Sequence, residues 1–116
     1  MARWDVREAI CEVGRRCWQR GFVASNDGNI SHRLAADTVL CTPTMVSKGF
    51  LAPLDLVLVD LRGRQLLGDR KLTSEIRLHL HLYRRRPDVA AVVHVHAPHA
   101  LAFAAARRHL PRAVLA

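Results

Sequence analysis

The chain has 116 residues, half hydrophobic and about a quarter charged, which suits one globular domain burying somewhat over ~60% of its unfolded surface and excludes a disordered or repeat-built protein. The net charge of +8 is almost wholly arginine, since Lys48 and Lys71 are the only lysines among 18 basic residues; with 5% aromatics and no recognition motif a base-stacking platform is hard to assemble, and nucleic acid is not an expected partner. No stretch reaches the ~18 apolar residues of a membrane span and the charged start Met1–Glu8 lacks the apolar run of a secretory signal, so a cytoplasmic protein without a membrane partner is expected.

Val6, Ile10, Val13 and Cys17 recur at three- and four-residue spacing and predict an amphipathic helix from about Arg3 to Arg20, ended by Gly21. Ile30–Leu34 and Thr38–Cys41 read as short strands around an Ala35-Ala36-Asp37 turn, and Leu56–Asp60 with Gln65–Leu67 as a hairpin across Arg62-Gly63. A second helix is expected from near Ser74 to about Arg85, with Thr73 or Ser74 as N-cap and Glu75 in its first turn; Arg84-Arg85-Arg86 then complement its C-terminal dipole before Pro87. Ala90–His96 is a nearly continuous apolar run and predicts a strand buried on both faces. Pro98 opens a third helix to about Arg108, and Leu110–Ala116 has the composition of a further strand's beginning. Cys11, Cys17 and Cys41 form no CxxC pair and leave one unmatched, which favours reduced core thiols over a nucleophile or ligand.

Chemistry concentrates at a few places. In Val92-Val93-His94-Val95-His96 the two imidazoles stand at i and i+2, on one face of a strand, where a divalent metal could bridge them. Glu75, at the start of the second helix, supplies a carboxylate able to act as base or ligand. Gly28 in Ser25-Asn26-Asp27-Gly28-Asn29-Ile30-Ser31 can adopt positive φ, so that backbone N–H groups and the Asn29 amide converge on an anion. Thr42-Pro43-Thr44 and Thr73-Ser74 add hydroxyls, the latter at a helix N-terminus. Singly each has a turn or capping explanation; together they sketch a phosphate cradle beside a metal. His79, four residues after Glu75, and His99, at the head of the third helix, are the local candidates for a further ligand, while His32, His81 and His109 read as structural or solvated.

In chain order, Gly28-Asn29-Ile30-Ser31, Thr42-Pro43-Thr44, Ser74-Glu75 and His94-Val95-His96, the last approached through Arg86-Pro87-Asp88-Val89-Ala90-Ala91-Val92-Val93, resemble the class II aldolase/adducin family over nearly the whole chain. The resemblance implies an α/β (α+β-like) fold with a central mixed or mainly antiparallel sheet flanked by helices. It implies one domain over residues 1–116, incomplete on its C-terminal side, because the family's third zinc-binding histidine and later strands lie further along than Ala116. It also implies Zn2+, or another divalent metal, at His94, His96 and Glu75, with Glu75 as catalytic acid/base, and a substrate phosphate held by Gly28, Asn29, Thr44, Thr73 and Ser74. The implied activity is a zinc-dependent lyase that cleaves a small sugar phosphate, of the L-fuculose-1-phosphate kind, to a ketone phosphate and an aldehyde through a metal-stabilised enediolate. The same fold serves a pentulose-phosphate 4-epimerase, dehydratases, decarboxylases and a catalytically inactive adducin-type scaffold. A homotetramer is implied for an intact version, or a second chain supplying the missing half. Met45 departs from the pattern, which commonly has glycine after the Thr-Pro-Thr equivalent.

Overall fold

The apolar stripe of the first predicted helix is met by a sheet. In the computed structural model, which describes residues 3–112, α1 (Trp4–Gln19) buries Val6, Ile10 and Gly14 and is followed by Gly21 at positive φ. Five strands come next in space: β1 (Asn29–Ala35), β2 (Thr38–Cys41), β3 (Val57–Asp60), β4 (Gln65–Leu67) and β5 (Ala91–His94), in the order β4-β3-β2-β1-β5. Every pairing is antiparallel, so among the described residues the sheet is antiparallel throughout. Short 3-10 turns at Lys48–Phe50 and Pro53–Asp55 link β2 to β3.

Period-two alternation sorts the two faces. Leu40, Ile30 and Leu56 pack on Val6 and Ile10 of α1; Val39, Cys41, Val57 and Val59 pack on Ile76, Leu80 and Tyr83 of α2 (Ile76–Arg85). The sheet is thus the middle layer between one helix on each side. The strands at its centre are the best buried, with Val39, Leu40, Cys41, Val57 and Val59 at 0% exposure; truncating such a side chain to alanine costs about 2–5 kcal/mol for the larger ones. Asn29 and Ser31 of β1 point to the α2 face, where Ser31 reaches Tyr83. No helix among the described residues is long and apolar enough to cross a membrane.

Several expectations shift. The predicted 90–96 strand ends at His94 and lies at the sheet edge, half exposed, with Val93 at 47%. Its apolar run records a demand for burial, but only β1 pairs with it among the described residues, so the expected burial on both faces is not met. A largely apolar groove of about 360 Å³ opens beside it, lined by Val6, Ile10 and Val13 of α1 with Ile30, Ala91 and Val93. Helix α2 begins at Ile76 rather than Ser74, because residues 73–75 form a turn in which the Ile76 N–H donates to the Thr73 carbonyl and Glu75 takes the cap position. Helix α3 (Pro98–Ala105) stops three residues early, and its described side chains are exposed. All three cysteines carry free thiols as expected, but only Cys41 is buried. Of the strand expected from Leu110, residues 110–112 are irregular and residues 113–116 lie outside the described residues.

Candidate active site

The site is assembled where four connections converge at one end of the sheet. Gly28, at φ +79°, turns the chain into β1; a Cβ there would lie 2.5 Å from Val23 Cγ1 and 2.9 Å from the His94 carbonyl oxygen, so only glycine lets this loop close against the end of β5. Asn29, the first residue of β1, stands opposite His94 in the register, and this pairing sets their side chains next to each other on the α2 face. Beyond β2, Thr42 is tied back to Ile30: its N–H donates to the Ile30 carbonyl at 2.9 Å and its Oγ1 accepts from the Ile30 N–H at 3.1 Å. Pro43 bridges Leu72 and the Thr44 N–H donates to the Lys71 carbonyl at 3.0 Å, which stitches the Thr42–Thr44 loop to the turn before α2. His96 lies two residues past β5, held by its N–H to the Phe22 carbonyl at 2.8 Å.

These ties bring Gly28, Asn29, Thr44, Thr73, Ser74, Glu75 and His96 around one polar cleft of about 220 Å³, with His94 next to Glu75. The lining of the cleft is polar, and His99, exposed on α3, takes no part in it. Thr73 Oγ1 accepts from the Glu75 N–H at 3.4 Å, a long contact that leaves its hydroxyl hydrogen available to a ligand. Met45 adopts φ +62° with its side chain 75% exposed. The left-handed backbone explains why glycine suits this position, and the outward side chain does not crowd the cleft.

Glu75 is the electrostatic centre. Its Oε2 accepts from Asn29 Nδ2 at 2.5 Å and lies 3.1 Å from His94 Nδ1. The Asn29 hydrogen bond first, then the positive potential of His94 and His96, hold the carboxyl below the usual range despite partial burial; at neutral pH it is a carboxylate. The rings of His94 and His96 meet edge to face with centroids 5.1 Å apart. His96 Nδ1 faces Asp27 Oδ2 at 3.6 Å, so each imidazole turns Nδ1 toward a carboxylate and keeps Nε2 for another partner. Two imidazoles so disposed suit a divalent metal in donor chemistry. The set is incomplete, however: among the described residues no three His, Cys, Asp or Glu side chains are placed to hold a metal ion together. Glu75 is instead engaged with Asn29 and His94.

Three residues matter here beyond the sequence expectations. His79, considered from spacing as a ligand, is fully buried behind Asn29, with Nε2 2.6 Å from Asn29 Oδ1. The signal was present, since Ile76, His79, Leu80 and Tyr83 form one helical stripe and are the buried residues of α2. Asp27 pairs loosely with His96. Lys48 is buried at the cleft wall, and its Nζ donates to the carbonyls of Asn26 at 2.9 Å and Val46 at 2.6 Å, joining the two loops that frame the cleft. Burial pushes its ammonium pKa down. Between Ser47 and Gly49 it reads in sequence as a solvated lysine, and no pattern would have marked it.

A family model for the class II aldolase and adducin N-terminal domain matches residues 8–115. A methylthioribulose-1-phosphate dehydratase of Pseudomonas syringae pv. tomato is 38% identical over 100 residues, which are 86% of this chain and 49% of that protein. An L-fuculose phosphate aldolase of Methanococcus maripaludis is 36% identical over 106 residues, 91% of this chain and 57% of the relative. A solved L-fuculose 1-phosphate aldolase superposes with a TM-score of 0.87 at 27% identity, covering 97% of this chain and 53% of its own. The chain therefore spans about half the length of the relatives it matches. Its cleft sits on the ordered residues that resemble the family, and with the match over residues 8–115 the chain belongs to the class II aldolase/adducin family.

Proposed function

We propose that this chain forms the substrate- and metal-binding portion of a divalent-metal lyase, zinc being the expected ion, that acts on a small sugar phosphate. One observation carries the reading: a polar cleft lined by Asn29, Thr44, Thr73 and Ser74 adjoins an ionised Glu75 and the His94/His96 pair. Anion donors beside a base and two imidazoles are what proton transfer on a phosphorylated carbonyl compound requires. Asn29, with the hydroxyls of Thr44, Thr73 and Ser74, would hold the phosphate, while Glu75 would take or return the proton at the carbon next to the carbonyl. A divalent metal bound at His94 and His96 would supply Lewis-acid polarisation of that carbonyl. In the aldolase direction the products are a ketone phosphate and an aldehyde.

Dehydration of a methylthioribulose-phosphate-like substrate is the second reading, favoured by 38% identity with an enzyme named for that reaction. Both chemistries pass through an enediolate at the carbon beside a carbonyl: dehydration has Glu75 take the proton from that carbon, and cleavage has it return one there. Mass-spectrometric product analysis of the full protein with L-fuculose 1-phosphate and with methylthioribulose 1-phosphate separates them: cleavage yields two smaller molecules, dehydration one product lighter by a water. Glu75→Gln is expected to lower either rate by about 10²–10⁴-fold. Full activity in that variant, or no turnover of any sugar phosphate by metal-loaded wild type, would contradict the proposal and favour an adducin-type scaffold. The half-exposed β5 edge and exposed α3 support a homo-oligomer, a tetramer by family resemblance, in which further chain covers this side.

A further inference from the structure

Behind the cleft, Asn29 is backed by a buried file of polar side chains, Ser31, His79 and Tyr83, that the proposed chemistry does not use. Asn29, Ser31 and His79 are at most 3% exposed and Tyr83 is 1% exposed. Their contacts are short: Asn29 Oδ1 to His79 Nε2 2.6 Å, His79 Nδ1 to Ser31 Oγ 2.6 Å, Ser31 Oγ to Tyr83 Oη 2.7 Å, with His94 Nδ1 3.0 Å from the same Asn29 oxygen.

The direction of every bond follows from one end. Glu75 is a carboxylate and can only accept, so the Asn29 atom facing it at 2.5 Å is the NH2 group and the other is the carbonyl oxygen. That oxygen also can only accept, so His79 Nε2 and His94 Nδ1 must both carry hydrogen. Burial, reinforced by neighbouring His94 and only partly offset by the Glu75 carboxylate, keeps His79 neutral, its pKa pushed down to about 4. Its Nδ1 is then a bare acceptor, taking the Ser31 hydroxyl hydrogen, and Ser31 in turn accepts from Tyr83. Each member has one arrangement, and a buried network satisfied in only one way fixes the groups it touches.

We propose that His79, backed by Ser31 and Tyr83, is a positioning residue of the cleft: it locks the Asn29 amide in one orientation and thereby sets the placement of Glu75 and the tautomer of His94. With Nδ1–H of His94 committed to Asn29 and Glu75, its Nε2 lone pair is the one offered outward, and one Asn29 amide hydrogen remains for an anion. The consequence for catalysis rests on the lyase reading; the hydrogen-bond assignment does not.

Long-range ¹H–¹⁵N NMR of the histidine nitrogens in the metal-free full protein near neutral pH tests this directly. The expected result is protonated Nε2 with bare Nδ1 for His79, and protonated Nδ1 for His94. In His79→Leu, the His94 signals should move to a mixture of tautomers and kcat should fall ten- to a hundredfold with KM changed less. His79→Gln, whose amide can still donate to Asn29, should restore the wild-type His94 tautomer and most of kcat. A proton on Nδ1 of His79 in the wild type, or an unchanged His94 spectrum in folded His79→Leu, overturns the proposal. Should His79→Leu not fold, Ser31→Ala serves instead: the Asn29 oxygen still demands a hydrogen on Nε2 of His79, so retention of that tautomer supports the chain, and its loss overturns it. Tautomers as expected in a protein that turns over no sugar phosphate would sink the lyase reading and leave the positioning chain standing.

Discussion

Single side chains decide how this cleft is kept in one state. Met45 holds φ +62° without being glycine, a conformation that costs an L-residue about 1–2 kcal/mol, and its side chain is exposed. Met45→Gly should therefore raise stability by about 0.5–1 kcal/mol, since relief of strain exceeds the added unfolded-state entropy, and Met45→Val should lower it; urea midpoints check both. His79 sets a pH dependence. Its folded pKa of about 4 lies below the 6.5 of the open chain, so between those values the unfolded state binds a proton that the folded state refuses. Stability is complete above about pH 6.5 and drains as pH falls toward 4, by up to about 3 kcal/mol. Denaturation at pH 7.5 and pH 4.5 should show this loss in the wild type and a smaller one in His79→Gln.

At the scale of elements, the legible features were those set by local pattern. The three- and four-residue spacing of Val6, Ile10 and Val13 gave α1 to within a residue at each end, and glycine at positions 28 and 63 marked turns that do adopt positive φ. What local pattern lacks is the identity of the neighbour. The Val92-Val93 run asks for cover, yet β5 pairs only with β1 and stays half exposed; likewise His79 could be placed on the Glu75 side of α2 but not behind Asn29, because β1 is some fifty residues distant in sequence. Order should follow the same division. Amide hydrogen exchange in the 116-residue chain is expected to be slowest in β2 and β3, whose cores are closed on both faces, and fastest in β5 and α3, with protection there rising when further chain or a second subunit covers that edge. Uniform protection across all five strands would contradict this.

For the whole molecule, a three-layer arrangement of α1, sheet and α2 accounts for a folded core, and the candidate cleft lies at the end of the sheet where Gly28, Thr44, the Thr73–Glu75 turn and His94–His96 meet. The apolar groove between α1 and β5 and the exposed Leu101 and Phe103 of α3 each offer apolar surface that in isolation favours self-association; light scattering of the 116-residue chain should show concentration-dependent growth, reduced by Leu101→Lys. The central claim is that His94 and His96 serve a divalent metal beside Glu75. Metal analysis of the full protein, wild type against the His94→Asn/His96→Asn double variant, addresses it most directly. One bound divalent ion per chain in the wild type and a loss of at least tenfold in occupancy in a folded double variant is the predicted result; equal metal content in both, or no stoichiometric metal in the wild type after zinc loading, would contradict it.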